Sequence, residues 1–259
     1  MRIVSYNILD GGEGRADPIA EVLLAQQADI IAVVESDNSD VLHRLAHRLN
    51  MDHVVAAGRK HAVALFSRWQ IGDTVNLSDH PTGGGEESSY RFLLAEVLVE
   101  PTGVSMPVGV VHLHARATNH DDQVRRHQLT AVLSKLAIFR DNNTPHLLMG
   151  DFNADSPMQS VIPSQCKPRT AEAWTLNGGN LPRGAIQMAL EHGYLDSLHT
   201  VNPAVARTSG SFTTQQPGQR VDYIFTHGFP QVAIRKAWIE NDRLAQYASD
   251  HYPVGCEIA

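Results

Sequence analysis

The sequence predicts an α/β fold in which two mixed β-sheets pack as a sandwich with helices outside. Three observations carry this expectation. The chain opens with alternating strand-like and helix-like segments. A run of strand-like segments from about Val54 to Leu113 then breaks the alternation in the manner of an antiparallel meander. A helix–strand pair and further strands come after it. Strict alternation would predict a single doubly wound parallel sheet instead.

Apolar runs place strands at Ile3–Ile8, Ile30–Val34, His53–Ala57, Ala62–Phe66, Phe92–Val99, Val108–Leu113, His146–Met149, Val221–Phe225, Val232–Ile239 and Val254–Ile258. A first helix opens at Asp17-Pro18, an N-cap acceptor followed by proline at the first helical position, and runs to about Gln27. A second covers about Ser39 to Leu49, for which Asp37 is a candidate cap. The third puts Leu129, Val132, Leu133, Leu136 and Phe139 on one face. The glycine-rich segment His80–Glu87 could suggest a phosphate cradle, but that needs a helix directly after it; a strand follows, so it reads as a flexible loop or lid. The segment from about Ser160 to Gly184 is rich in Pro, Gly, Asn and Arg, and irregular connections of that length are usually functional or disordered. With no repeat or linker, the chain reads as one domain, 1–259, with a substrate-specificity insertion at about 160–184.

Composition excludes several classes. A hydrophobic content of 42% and a charged content of 19% are those of a soluble globular protein. No apolar run is long enough to span a membrane, and the N-terminus lacks a signal-peptide pattern, so the default expectation is a cytoplasmic monomer. Two cysteines, Cys166 and Cys256, are too few for a disulfide framework and lack zinc-site spacing. The net charge of −7, without a basic stripe, disfavours long duplex DNA as the main substrate.

Polar residues recur where apolar strands end, as ligand sites of α/β proteins do. Asn7 ends the first strand and Glu35 the second. His112 and His114 end the run Val108–Val111, two apart and so expected on one strand face. Asp151 and Asn153 follow His146–Met149; Asp222 lies in Arg220–Phe225, and Asp250-His251 precede the last strand. Each alone has an ordinary reading as a turn former or solvated end, and Asp155, Ser156 and Pro157 keep that reading as turn and cap residues. Six strand ends together are harder to assign to chance. Arg91 reads first as a surface strand-start residue and second as a phosphate contact.

The set Ser-Tyr-Asn7, Val-Val-Glu35, Val-His112-Leu, Gly-Asp151-Phe-Asn153, Val-Asp222-Tyr-Ile and Ser-Asp250-His251 resembles the endonuclease/exonuclease/phosphatase superfamily, in order and over nearly the whole chain. The resemblance implies a four-layer αββα sandwich and divalent-metal-dependent hydrolysis of a phosphodiester or phosphomonoester. It implies Glu35 as the main Mg²⁺ (or Mn²⁺) ligand, with Asn7 and Asp250 beside the metal. Asp151 would activate water, Asn153 would bind a phosphoryl oxygen, His251 would pair with Asp222, and His112 or His114 would contact phosphate or assist the leaving group, His112 matching the motif better. Val34 stands where the family often has Gln, and Leu9 where some DNA-cleaving members have an acid. The residue types suit the chemistry: hard oxygen ligands for Mg²⁺ or Mn²⁺, and donors for the charge developing on phosphoryl oxygens. The acidic balance points to a small molecule, a nucleotide or a lipid headgroup as substrate, with Trp174, Arg169 and Arg183 of the insertion as candidate contacts. A DNA-repair-type nuclease is the alternative. A non-catalytic binding relative would be expected to have lost Glu35, Asp151 or His251.

Overall fold

The computed structural model describes residues 1–58, 61–78, 90–100 and 102–259, and the segment His80–Glu87 lies outside them. Two six-stranded sheets are present. The first runs β11 (Ile234–Ile239), β12 (Val254–Ile258), β1 (Arg2–Asn7), β2 (Ile30–Val34), β4 (Val63–Ser67), β3 (Asp52–Ala56). The second runs β5 (Ile71–Asn76), β6 (Arg91–Val99), β7 (Val104–His112), β8 (His146–Asp151), β10 (Asp222–His227), β9 (Leu195–Asp196). Among the described residues β1–β2 and β7–β8 are the parallel pairs, and the other ladders are antiparallel.

The central strands are continuous apolar runs because both faces are covered. Ile30, Ala32 and Val34 of β2 face the other sheet, where they meet Leu93, Val110, Leu147 and Met149. Alternate residues Ile31 and Val33 face outward onto α1 (Ala16–Gln26) and α2 (Ser39–Leu49). On the far side, Phe92, Val111 and Leu148 pack against α3 (Asn119–Asp141) and α5 (Gly184–Glu191). The order helix, sheet, sheet, helix is the four-layer αββα sandwich.

Several local expectations change. The strand run after Val54 is no single meander: β3 and β4 belong to the first sheet, and β5 to β7 to the second. β5 has no apolar signal because it is a largely exposed edge strand. β11 starts at Ile234, after a 3₁₀ turn over Gln231–Ala233. α1 starts one residue before Asp17, which caps nothing; its carboxylate receives Arg44 and Arg48 of α2 at 2.6 and 3.1 Å. Asn38 caps α2, and Asp37 instead accepts the backbone N–H of Ala62 at 3.1 Å. The 160–184 segment is not irregular. It holds α4 (Pro168–Leu176), with Pro168 in the first turn, and an apolar cluster of Val161, Cys166, Ala173 and Leu181. Asp155 is a buried anchor rather than a turn residue: it accepts Gln219 Nε2 at 2.9 Å, and burial pushes its pKa up to about 6. Ser156 Oγ accepts the N–H of Met158, and no helix begins there. Both cysteines are buried and free. Among the described residues no helix is long and apolar enough to cross a membrane.

Gly150 sets how closely β8 can approach β7. Its φ of +133° and the 2.0 Å that would separate a Cβ from the Val111 carbonyl leave room for no side chain where the two strands meet. Gly150→Ala is therefore expected to cost roughly 2 kcal/mol or more in chemical denaturation. A loss under about 0.5 kcal/mol, the range of an ordinary surface change, would show that the close approach is not required.

Candidate active site

One end of both sheets collects the polar residues. There the parallel strands β1, β2, β7 and β8 finish, and their antiparallel partners β12, β4, β6 and β10 begin. Asn7, Glu35, His112 and Asp151 come from strand finishes; His61, Arg91, Asp222 and His251 come from strand starts. Register places Asp222 opposite Asp151 and Arg91 opposite His112. A cavity of about 700 Å³ lies over this end, lined by Glu35, His61, Arg91, Asp151, Asp250 and His251 among others.

Asn7 is the link between the sheets. Its Nδ2 donates to Glu35 Oε1 at 3.2 Å and to Asp151 Oδ2 at 3.1 Å, and its Oδ1 accepts the N–H of Leu9. Glu35 sits in the left-handed region, φ +59°, and its Oε2 accepts the N–H of Asp10 at 2.9 Å. Burial opposes ionisation of Glu35, but His61, His112, the Asp10 N–H and Asn7 together outweigh it and hold the carboxyl well below its ordinary range. Asn153, also left-handed at φ +49°, donates its N–H to Asp151 Oδ1 at 2.8 Å and its carboxamide to the Leu113 carbonyl.

The second half of the site is a chain of buried groups. Ser211 Oγ donates to Asp222 Oδ2 at 2.7 Å, and the same oxygen accepts His251 Nδ1 at 2.9 Å. His251 Nε2 then faces Asp151 Oδ2 at 3.8 Å and Asp250 Oδ1 at 4.0 Å. Desolvation disfavours the imidazolium, but Asp222, Asp151 and Asp250 override it and push the His251 pKa up to about 10. These three carboxylates therefore favour the charged form of the His251 ring. Asp151 moves up, through burial and the neighbouring Asp222 charge, against the pull of His251. His112 moves the other way, to about 4, because burial penalises its charged form.

The structure brings Asn7, Glu35, His112, Asp151, Asn153, Asp222, Asp250 and His251 together. His114 borders the cavity, but β7 has ended before it, so strand alternation no longer governs it. Its Nε2 is held by Asp121 Oδ1 at 2.9 Å, whereas His112 Nε2 faces Asp151. Arg183 and Trp174 are not part of the lining. Arg183 donates to the carbonyls of Ser156 and Gln159, and Trp174 packs on the insertion's own apolar cluster. The insertion reaches the site instead through Lys167, whose Nζ stands 4.0 Å from the Phe212 ring centroid, and Phe212 lies 4.5 Å from the His251 ring. Lys167, Phe212 and Asn153 also border an adjoining cavity of about 380 Å³ with Arg169 and Arg116. Arg91, expected at the surface, is 5% exposed and borders the main cavity. His61, Ser211, Lys167 and Phe212 had no signal in the strand-end pattern.

Oxygens suited to a hard cation are present: the Glu35 carboxylate, and Asp250 Oδ1, which is buried without a hydrogen-bond partner. Asp151, Asp222 and His251 also cluster, but are largely engaged with one another.

The sequence profile of the Endonuclease/Exonuclease/phosphatase family matches residues 4–251. No curated protein matches the sequence. Among solved structures, an AP endonuclease from Archaeoglobus fulgidus superposes with a TM-score of 0.73 at 17% identity, covering 100% of this chain and 99% of that one. A 3′ phosphatase from Neisseria bound to product DNA hairpin gives 0.73 at 18% identity, covering 100% and 99%. The human Nocturnin catalytic domain with bound sulfate gives 0.71 at 18%, covering 100% and 94%.

The charge on His251 depends on Asp222, which can be tested directly. In metal-free protein the His251 ring nitrogens are expected to show no titration by NMR between pH 5 and 8. Asp222→Asn removes the first-named source of the raised pKa, and the protonation step should move down into or below that window. A wild-type midpoint near 6.5 would contradict the assignment.

Proposed function

The chain belongs to the Endonuclease/Exonuclease/phosphatase family, and on that premise we infer that it is a divalent-metal-dependent phosphoesterase. The observation that carries this reading is the linkage of Glu35 and Asp151 through one carboxamide, Asn7, with the His251 imidazole facing Asp151. Glu35, with Asn7 and Asp250 beside it, would hold the cation. When bound, the cation offsets phosphate charge and makes water a stronger acid.

The remaining steps fall to the chain's own groups. Asp151, with its raised proton affinity and its Asn7 and Asn153 donors, orients a water and takes its proton. His251, kept charged by Asp222, faces the developing negative charge on the phosphoryl oxygens. Asn153 and His112 bind phosphoryl oxygen or the leaving group, and His114 acts at the cavity edge. On this proposal the chain works as one domain whose 160–184 insertion sets substrate choice. Lys167 and Arg169 carry that role in place of Trp174 and Arg183, because they border the adjoining cavity. A net charge of −7 favours a small phosphate ester, such as a nucleotide or a lipid headgroup, over duplex DNA.

With Mg²⁺ or Mn²⁺ the protein is expected to cleave bis-p-nitrophenyl phosphate or a member of a panel of nucleotides, inositol phosphates, sphingomyelin and abasic DNA, and to stop on addition of EDTA. Glu35→Ala and His251→Ala should each lower turnover on the order of 10³-fold with unchanged far-UV circular dichroism. Lys167→Ala should change the ranking of panel substrates; an unchanged ranking removes the insertion from substrate choice. Cleavage of nothing in the panel would sink the enzyme reading.

A further inference from the structure

The metal-facing side of the cavity contains nitrogen as well as oxygen. Glu35 follows β2, His61 precedes β4, and His112 ends β7, so both sheets contribute. One ligand atom from each of the three lies within 4.8 Å of the others. His61 Nδ1 stands 3.6 Å from Glu35 Oε2, and the two imidazoles meet edge to face with centroids 5.5 Å apart at 77°.

His112 is the informative member. Its side chain is 10% exposed, and Asp151 Oδ2 stands 3.7 Å from Nε2, beyond hydrogen-bond reach. A half-buried imidazole that borders the cavity and is turned toward a second imidazole and a carboxylate has the surroundings of a metal ligand. Donors on opposite sides of an ion with bonds of about 2.1 Å stand roughly 4.2 Å apart, and the 3.6 Å between His61 Nδ1 and Glu35 Oε2 falls inside that reach.

We propose that Glu35, His61 and His112 form a mixed nitrogen–oxygen site that selects a first-row transition ion such as Mn²⁺ over Mg²⁺. This rests on the metal-dependent phosphoesterase reading for the presence of an ion. The selectivity follows from ligand type: Mg²⁺ takes oxygen ligands and keeps its waters, whereas imidazole suits transition ions. His61 is then a specificity-determining residue for the metal, on a strand start that the oxygen ligands do not use, and His112 serves the ion in place of the phosphoryl oxygen or leaving group.

Binding, read apart from turnover, tests this. Metal-free protein titrated with MnCl₂ and followed by electron paramagnetic resonance should bind Mn²⁺ at least tenfold more tightly than Mg²⁺ displaces it. Electron spin-echo envelope spectra of the bound Mn²⁺ should show nitrogen coupling that changes when histidine is ¹⁵N-labelled. His61→Gln should lower Mn²⁺ affinity at least fivefold and leave Mg²⁺ affinity within twofold. Bound Mn²⁺ without histidine nitrogen coupling overturns the proposal, leaving His61 and Glu35 as an ion pair only, and the wild-type spectrum decides this even if the variant fails to fold. If Mg²⁺-dependent cleavage persists in that case, the phosphoesterase reading stands alone. Absence of turnover with any ion defeats that reading separately.

Discussion

Asp151 and Asp222 face each other across the β8–β10 ladder, each about 1% exposed, and two carboxylates buried this way repel. The His251 ring relieves that repulsion by bonding Asp222 through Nδ1 and turning Nε2 toward Asp151. Ser211 and Asn7 occupy further acceptor sites on the same pair. Removing the imidazole would leave two buried acids without their counter-charge, which lowers stability. β12, which comes after His251, lies against β1, and Ser249 Oγ donates to the Asn7 carbonyl at 2.7 Å. The first sheet is thereby fastened to the second at the site itself.

Much of this was legible in the sequence, for a physical reason. Asn7, Glu35, Asp151 and Asn153 stand at or just after the ends of apolar runs, and parallel strands buried on both faces can hardly be written any other way. His61 was not legible as a site residue, and Arg91 only as a second reading behind a surface strand start, because nothing in their local pattern marks the cavity. Which strand finish they sit beside depends on pairing across the sheet, which is a long-range fact. Lys167 and Phe212 depend on where the insertion folds back, and Trp174 and Arg183 were picked by residue type, which says nothing about direction. The edge strand β5 is polar because solvent covers it, so periodicity could not reveal it.

Both sheets build the site: the first supplies Asn7, Glu35 and His61 and the second supplies Asp151, Asn153 and Asp222, with His112 and His251 between them. Gly150 lets β8 lie close against β7, which sets Asp151 beside His112, since any side chain there would strike the Val111 backbone. In the proposed function the 160–184 segment, through Lys167 and Arg169, sets what can be bound, which fits a fold that keeps one reaction while its substrates vary.

In the proposed mechanism, water oriented by Asp151 attacks phosphorus at this site. Turnover of the best monoester or diester in ¹⁸O-water, read by ³¹P NMR, tests that step most directly. Attack by water predicts a single ¹⁸O on the phosphorus of the product and loss of label incorporation in Asp151→Asn. Product phosphate without ¹⁸O, which would mean cleavage on the carbon side of the ester, would contradict it.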